Sequence, residues 1–276
     1  MSSTTPPAPV VIVTGSSRGI GREIARSLLQ QSYRVVLNGR DADRLKQTAE
    51  TLRTHTGVTP DQLISVPADI STAVGAEHLI KETLGAFQRI DGLINNAGTS
   101  MRGPVQALHQ ETVEAMMRGN LQSAVMPTVA ALPALVETGG SVVFVSTLGA
   151  LWGFPGISLY SASKAAVETF ARAVDAEHRK MGVHAGVCYL GFVENDQDKE
   201  VLHADGTPFH HQRTASMTQE QAAAEIITTM KRRQRRRVTT TSGRFLSSLV
   251  RCTPGLVGYA LARSGGSIHR VSRKGK

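Results

Sequence analysis

Cysteine is nearly missing from this chain. Cys188 and Cys252 are the only two in 276 residues, and they suggest neither a disulfide framework nor a thiolate metal knuckle. Histidine offers no substitute, because His210 and His211 are consecutive and lack the i, i+4 helical spacing that aims two rings at one ion. No metal site is expected. No apolar run approaches the roughly 18 residues of a membrane-crossing helix. Met1 to Pro9 is small, polar and proline-rich, without the charged and then apolar regions of a secretory leader. Residues 1–9 therefore read as a disordered, frayed tail, and the protein as cytoplasmic. Internal repeats and low-complexity linkers are absent too. Acidic residues vanish near the end: residues 231–276 hold 13 Lys or Arg and no Asp or Glu. The first 230 residues, with 18 cations against 22 acids, are mildly anionic, so the net charge of +9 belongs to the end of the chain and not to its fold.

What is present is ordinary globular material, 41% hydrophobic and 19% charged, long enough for one substantial core. Strand-like Val10–Thr14, Tyr33–Asn38, Leu63–Pro67 and Gly92–Asn95 alternate with helix-like Ile20–Gln30, Ala42–Arg53, Ala73–Phe87 and a long helical region from Gln106 to Glu137. Val142–Ser146 and Val183–Tyr189 then flank the helix Ser158–Lys180. The alternation implies an α/β fold: a Rossmann-type doubly wound parallel sheet with helices on both faces, one domain over residues 10–230. Ligands of such a sheet lie at the C-terminal ends of its strands. Residues 231–276 read as a basic, partly apolar extension.

Between the first strand and the first helix stands Thr14-Gly-Ser-Ser-Arg-Gly-Ile-Gly21. Gly15 can take a tight turn, while Gly19 and Gly21 let a pyrophosphate and the sheet approach the backbone. A lone glycine-rich loop is weak evidence, but the strand before it and the helix after it supply the context of a dinucleotide site. About 20 residues on, where an acid would hold an NAD ribose, the chain offers Asn38-Gly-Arg40. Arg40, with Arg18, can pair with a 2′-phosphate, which favours NADP(H). Asp41 keeps NAD(H) open, although capping the next helix is an alternative use for it. Asp69 likewise reads either as a cap or as an acceptor for an adenine amine.

In the stretch from Ser146 to Lys164 a tyrosine precedes a lysine by four residues, so Tyr160 and Lys164 share one helix face. An ammonium a few ångströms from a phenol stabilises the phenolate and draws its pKa toward neutrality, which makes Tyr160 a usable proton donor or acceptor. Taken together, Thr14–Gly21, Asp69, Asn95-Asn-Ala-Gly98, Asn120, the hydroxyls before Tyr160, and Lys164 resemble the short-chain dehydrogenase/reductase family in type and order over about residues 10 to 195. That resemblance implies a catalytic set of Asn120, Thr147, Tyr160 and Lys164, with Asn120 extending a proton relay and Lys164 also holding the nicotinamide ribose. It implies cofactor contacts from Gly15, Ser17, Arg18, Gly19, Ile20 and Gly21, from Arg40, Asp69 and Ile70, from Asn96, Ala97 and Gly98, from Tyr160 and Lys164, and from Gly191 and Val193.

Two departures from the family pattern stand out. Thirteen residues before the tyrosine, where the family has serine, this chain has Thr147, and Ser146 is the neighbouring alternative; adjacent strand residues face opposite ways, so only one can meet a substrate oxygen. After the sixth strand the family's Pro-Gly is replaced by Leu190-Gly191, with Asn195 in place of a threonine. The polar segment of about 191–217 stands where the family covers its substrate. Met101, Leu151, Trp152, Phe154 and Phe192 are the apolar candidates beside it, so the expected substrate is a small apolar carbonyl or alcohol.

Lys231-Arg-Arg-Gln-Arg-Arg-Arg237 follows, and the family's closing strand is not recognisable there. Beyond it, apolar residues interleave with Arg244, Arg251 and Arg263 in a pattern that fits a surface-lying helix on an anionic membrane. A solvated basic face and a dock for an acidic acyl carrier compete with that reading; nucleic acid is the disfavoured partner. The leading expectation is an NADP(H)-dependent reductase working as a homodimer paired through its long helices. The alternatives are a 3-oxoacyl-carrier reductase and a non-catalytic NADP-sensing protein that acts through its tail.

Overall fold

The computed structural model describes residues 7–196, 199–210 and 214–264. Residues 1–6 of the expected tail, His211 of the histidine pair and residues 265–276 of the extension lie outside them. Pro9 is not frayed: its carbonyl accepts from the Arg34 amide at 2.9 Å, so chain pairing starts before the first strand.

Seven parallel strands form the central sheet, in the order β3-β2-β1-β4-β6-β7-β10. Its members are β1 (Val10–Val13), β2 (Arg34–Gly39), β3 (Leu63–Pro67), β4 (Gly92–Asn95), β6 (Ser141–Thr147), β7 (His184–Leu190) and β10 (Arg236–Val238). Strands covered on both faces carry continuous apolar runs rather than alternation, and β1, with the sequence VVIV, is buried at every position. Helices α1 (Gly19–Leu29), α2 (Ala42–Thr56), α3 (Ala73–Phe87), α5 (Ser123–Thr138), α6 (Ser158–His178) and α7 (Gln219–Lys231) supply the two covering layers. Ile24, Leu28 and Leu29 on one face of α1 pack against Val11 and Val13 in one apolar cluster, whereas Val10 and Ile12 belong to the other. The fold is thus a Rossmann-like single domain. β1 pairs with β2 on one side and β4 on the other, and the strand order reverses there, which opens the crevice where such sheets take ligands.

Three expectations change. The closing strand exists: β10 pairs parallel with β7, Arg236 opposite Val187 and Val238 opposite Tyr189, so the sheet continues past residue 230 into the segment read as an extension. The region Gln106–Glu137 is not one helix but α4 (Gln110–Met116), a π-helical segment at Met117–Gln122, and α5. The segment 191–217 is not wholly irregular, because β8 (Glu200–His203) and β9 (Pro208–His210) form a hairpin that extends β5 (Met101–Arg102) into a second, three-stranded sheet.

Candidate active site

At the C-terminal end of β1 the glycine-rich loop turns on two left-handed residues, Gly15 at φ +61 and Gly19 at φ +58, a region that L side chains rarely adopt. The β4 motif holds this loop in place. Asn96 Nδ2 donates to the Thr14 and Gly15 carbonyls at 3.0 and 3.1 Å, and Thr14 Oγ1 accepts from the Asn96 and Ala97 amides, both at 3.0 Å. A Cβ on Gly15 would stand 2.8 Å from Ala97 Cα, and one on Gly21 2.7 Å from Asn96 Nδ2, so neither position admits a side chain. Ser17 contributes its carbonyl to Thr48 Oγ1 at 2.8 Å. Arg18 is the N-cap of α1 without a side-chain cap bond, and no acid occupies the first turn, so the helix presents its amide end to whatever anion occupies the loop. Ile20 packs half-buried against the apolar layer behind it.

Near the end of β2 the side chain of Asn38 is buried and donates to the Val66 carbonyl at 3.1 Å, while Arg40, just past the strand, is exposed. Asp41 caps α2, accepting from the Arg44 amide at 3.0 Å. Asp69 is not the cap of α3; Thr72 is, through the Gly75 amide at 3.1 Å. Instead Asp69 accepts from Ser71 Oγ at 2.6 Å and from the Arg118 guanidinium at 2.6 Å. Burial alone would raise its carboxyl, but these bonds outweigh it and hold the group below the usual carboxylate range. Ile70 has its side chain in the core, which leaves only its backbone for any ligand.

The remaining residues converge around Gly98. A Cβ built there would lie 2.8 Å from Asn120 Oδ1 and 3.2 Å from Lys164 Nζ. Asn120 is fully buried in the π-helical segment, where one wider turn re-aims a side chain that a regular helix would carry elsewhere. Its Oδ1 accepts from the Thr99 amide at 2.9 Å and its Nδ2 donates to Ser163 Oγ at 3.0 Å. Ser163 Oγ in turn donates to the Tyr160 carbonyl at 2.9 Å, so the first turn of α6 is tied to Asn120. Tyr160 itself rests half-buried on Met101, Met116 and Ala204. Lys164 is buried, and its ammonium donates to the Val145 carbonyl at 3.0 Å. Of the two candidate hydroxyls, Ser146 is buried with an unpartnered Oγ, whereas Thr147 ends β6 half-exposed, its Oγ1 accepting from the Gly149 amide at 3.2 Å.

A model of the short chain dehydrogenase family matches residues 9–206. The chain belongs to that family. Dehydrogenase/reductase SDR family member 7B of Danio rerio is 32% identical over 203 residues, which cover 72% of this chain and 66% of that protein. A short-chain dehydrogenase/reductase of unknown function from Caenorhabditis elegans, solved with cofactor, matches with TM-score 0.72 and 27% identity over 85% of this chain and 95% of its own. An alcohol dehydrogenase from the archaeon Thermococcus sibiricus, complexed with 5-hydroxy-NADP, matches with TM-score 0.64 and 27% identity over 72% and 86%.

This short-chain dehydrogenase also brings groups to the site that no motif announced. Gly191 is packed by Thr240, whose Cγ2 would lie 2.9 Å from a Cβ there, and Val193 is buried and bridged to Met217. Just beyond them, Asp196 lies against the phosphate loop, its Oδ2 3.0 Å from a Cβ built on Gly19, and takes a bond from Gln219 Nε2 at 3.1 Å. Among the apolar candidates, Met101 is wholly core, Leu151 packs on the main core, Trp152 and Phe154 are half-buried, and Phe192 is exposed. A cavity of about 360 Å³ between α6, β7 and β10, lined by Glu168, Asp175 and Arg235, contains none of the motif residues.

Lys199 is the second unannounced group. Burial, aided by the like charge of Lys199, pushes the Lys164 ammonium down to about 8. Above that pH Lys164 is neutral and Tyr160 loses its neighbouring cation, so turnover should decline as pH rises through about 8. Lys199→Ala removes the repulsion, and the declining limb of kcat should move to higher pH. A limb at the same pH in both proteins would show that Lys199 does not act on Lys164.

Proposed function

We propose that this short-chain dehydrogenase is an NADP(H)-dependent oxidoreductase that reduces a ketone or aldehyde of an apolar substrate. The observation that carries the reading is the buried Lys164 ammonium, one helical turn beyond Tyr160 and beside Asn120. The fold supplies a fitting seat for a dinucleotide: a left-handed glycine loop that excludes side chains, leading into an α1 amide end without a side-chain cap bond. When bound, the reduced nicotinamide supplies the hydride to the carbonyl carbon. The chain's own residues handle the proton. The Thr147 and Tyr160 hydroxyls hold the carbonyl oxygen, Tyr160 gives it a proton, and the charge of Lys164 makes the resulting phenolate tolerable. Asn120, fixed between Thr99 and Ser163, keeps Tyr160 and Lys164 in register. Trp152, Phe154 and Phe192 suit an apolar substrate.

Preference for the phosphorylated dinucleotide rests on Arg40. It is exposed after β2 and forms no ion pair among the described residues, while the acid beside it, Asp41, is committed to capping α2. Arg40→Asp replaces attraction to a 2′-phosphate by repulsion and should shift the NADPH-to-NADH affinity ratio about 100-fold toward NADH, read by dinucleotide fluorescence titration. An unchanged ratio would exclude Arg40 as the phosphate reader. Turnover itself is tested by NADPH oxidation with a panel of apolar ketones; dinucleotide binding without turnover on any of them would favour a sensor over an enzyme.

A further inference from the structure

The last two described helices are built inside out. In α8 (Thr241–Cys252) the buried positions are the small residues Gly243 and Ser247, whereas Phe245 and Leu249, one turn apart on the same face, are exposed. In α9 (Pro254–Ser264) Val257 points inward and Leu256 and Tyr259 outward. Phe245, Leu256 and Tyr259 keep 70%, 66% and 62% of their surface in water. A helix that only packs on its own domain turns its large apolar residues inward, and apolar side chains clustered on an exposed face mark an interaction surface.

Charge identifies the partner. Beyond Glu225 the chain contains no acidic residue, and the exposed cations Arg244 and Arg263 flank the apolar face. Arg263 lies over the Tyr259 ring at 5.4 Å from its centroid and donates to its hydroxyl at 2.5 Å, an arrangement suited to the boundary between apolar and aqueous phases. Arg244 also donates to the Val238 carbonyl at 3.1 Å, and the dense run Lys231–Arg237 is likewise engaged by the fold. Arg233 donates to the Gly182 and Gly139 carbonyls, and Arg235 pairs with Asp175 at 3.1 Å. Arg236 donates to Ser247 Oγ at 2.5 Å, and Arg237 pairs with Glu225. The most cationic stretch is therefore tied to the fold by its hydrogen bonds and, through Arg236, to α8, while Lys231, Arg232, Arg233 and Arg235 stay exposed and add to the positive charge of this end of the molecule.

We propose that the α8–α9 face docks on an anionic lipid bilayer, with Phe245, Leu249, Leu256 and Tyr259 in the interfacial layer and the flanking arginines at the headgroups. Among the described residues no helix is long and apolar enough to cross a membrane, so the association is peripheral. Position adds a use for it. Gly243 seats against Leu148, and Gly258 faces Trp152, where a Cβ would lie 3.5 Å from Cζ2. Leu148 and Trp152 bound the turn that follows Thr147, so the inner sides of α8 and α9 rest against the candidate active site while the docking residues point outward. Docking is independent of the reaction. Supply of an apolar carbonyl compound from the lipid phase rests on the reductase reading above.

The test is co-sedimentation of the full chain with vesicles of phosphatidylcholine alone and of phosphatidylcholine with phosphatidylglycerol. Wild type should pellet with the anionic vesicles and be released by high salt. The double variant Phe245→Asp/Leu256→Asp should bind at least roughly tenfold more weakly while keeping its NADPH affinity and its circular dichroism. Three results would overturn docking: wild type left in the supernatant, the variant pelleting like wild type, or sedimentation velocity showing that the variant only loses self-association. Turnover of a water-soluble ketone, measured on the same preparations, reports the reductase reading separately: inactivity with intact vesicle binding sinks that reading alone.

Discussion

Tyr160→Phe is expected to lower kcat in the proposed reaction by about 1000-fold while leaving dinucleotide affinity within about twofold of wild type. The ring sits on Met101, Met116 and Ala204, and phenylalanine refills that space, so the substitution removes a hydroxyl and little packing. Steady-state kinetics beside a dinucleotide titration separate the two effects. A parallel loss of cofactor affinity would mean that the phenol holds the cofactor rather than the proton, and equal turnover would end the role assigned to it.

Lys164→Met should abolish turnover and stabilise the fold. The Lys164 ammonium titrates near 8 instead of 10.5 because it is buried and because Lys199 repels it. The folded state thus disfavours the charged form, by about 3 kcal/mol at neutral pH. Methionine keeps an unbranched apolar stem and drops the charge, at the loss of one hydrogen bond to the Val145 carbonyl, worth about 1 kcal/mol. The net gain is about 2 kcal/mol, or several degrees in Tm. The pH dependence gives the sign. Below 8 the charge is carried in both folded and unfolded wild type and the penalty is complete; as pH rises from 8 toward 10.5 the folded state sheds its proton first, and the gap between wild type and variant closes. Chemical unfolding of both proteins at pH 7 and pH 10 checks this. A variant less stable than wild type would mean that Lys164 is held by more than the structure shows.

The residues that a sequence can reveal are those whose role is local. Val10–Val13 is buried on both faces and reads as such, the glycine loop needs its left-handed turns at Gly15 and Gly19, and Asp41 caps the helix that begins beside it. The spacing of Tyr160 and Lys164 is a property of one helix turn. What escaped depends on partners far along the chain. Strand β10 is only three residues long, two of them arginines, and carries no apolar pattern. It is a strand because Arg235 meets Asp175, Arg237 meets Glu225 and the backbone meets β7. The hairpin of β8 and β9 needs the two residues of β5, about 100 positions earlier, to become a sheet.

The site follows the same division. Asn120 could be picked out by type and order, but the π-helical turn that delivers it could not, since six residues, Met117–Gln122, are too few to carry a periodicity of their own. Thr147 and Ser146 were separable only once the strand's two faces had an inside and an outside. Arg118, Asp196 and Lys199 carry no motif; they reach the site because the π-helical segment passes beside Asp69 and the chain after β7 folds back over the glycine loop.

Strand β10 also decides where the molecule can be cut. Ending the chain at 230 would strip β7 of its outer partner and leave buried, aliphatic-rich backbone with open amides and carbonyls along one side. Such a rim recruits strands from neighbouring molecules, so a shortened protein would polymerise through the edge that a few arginines now seal.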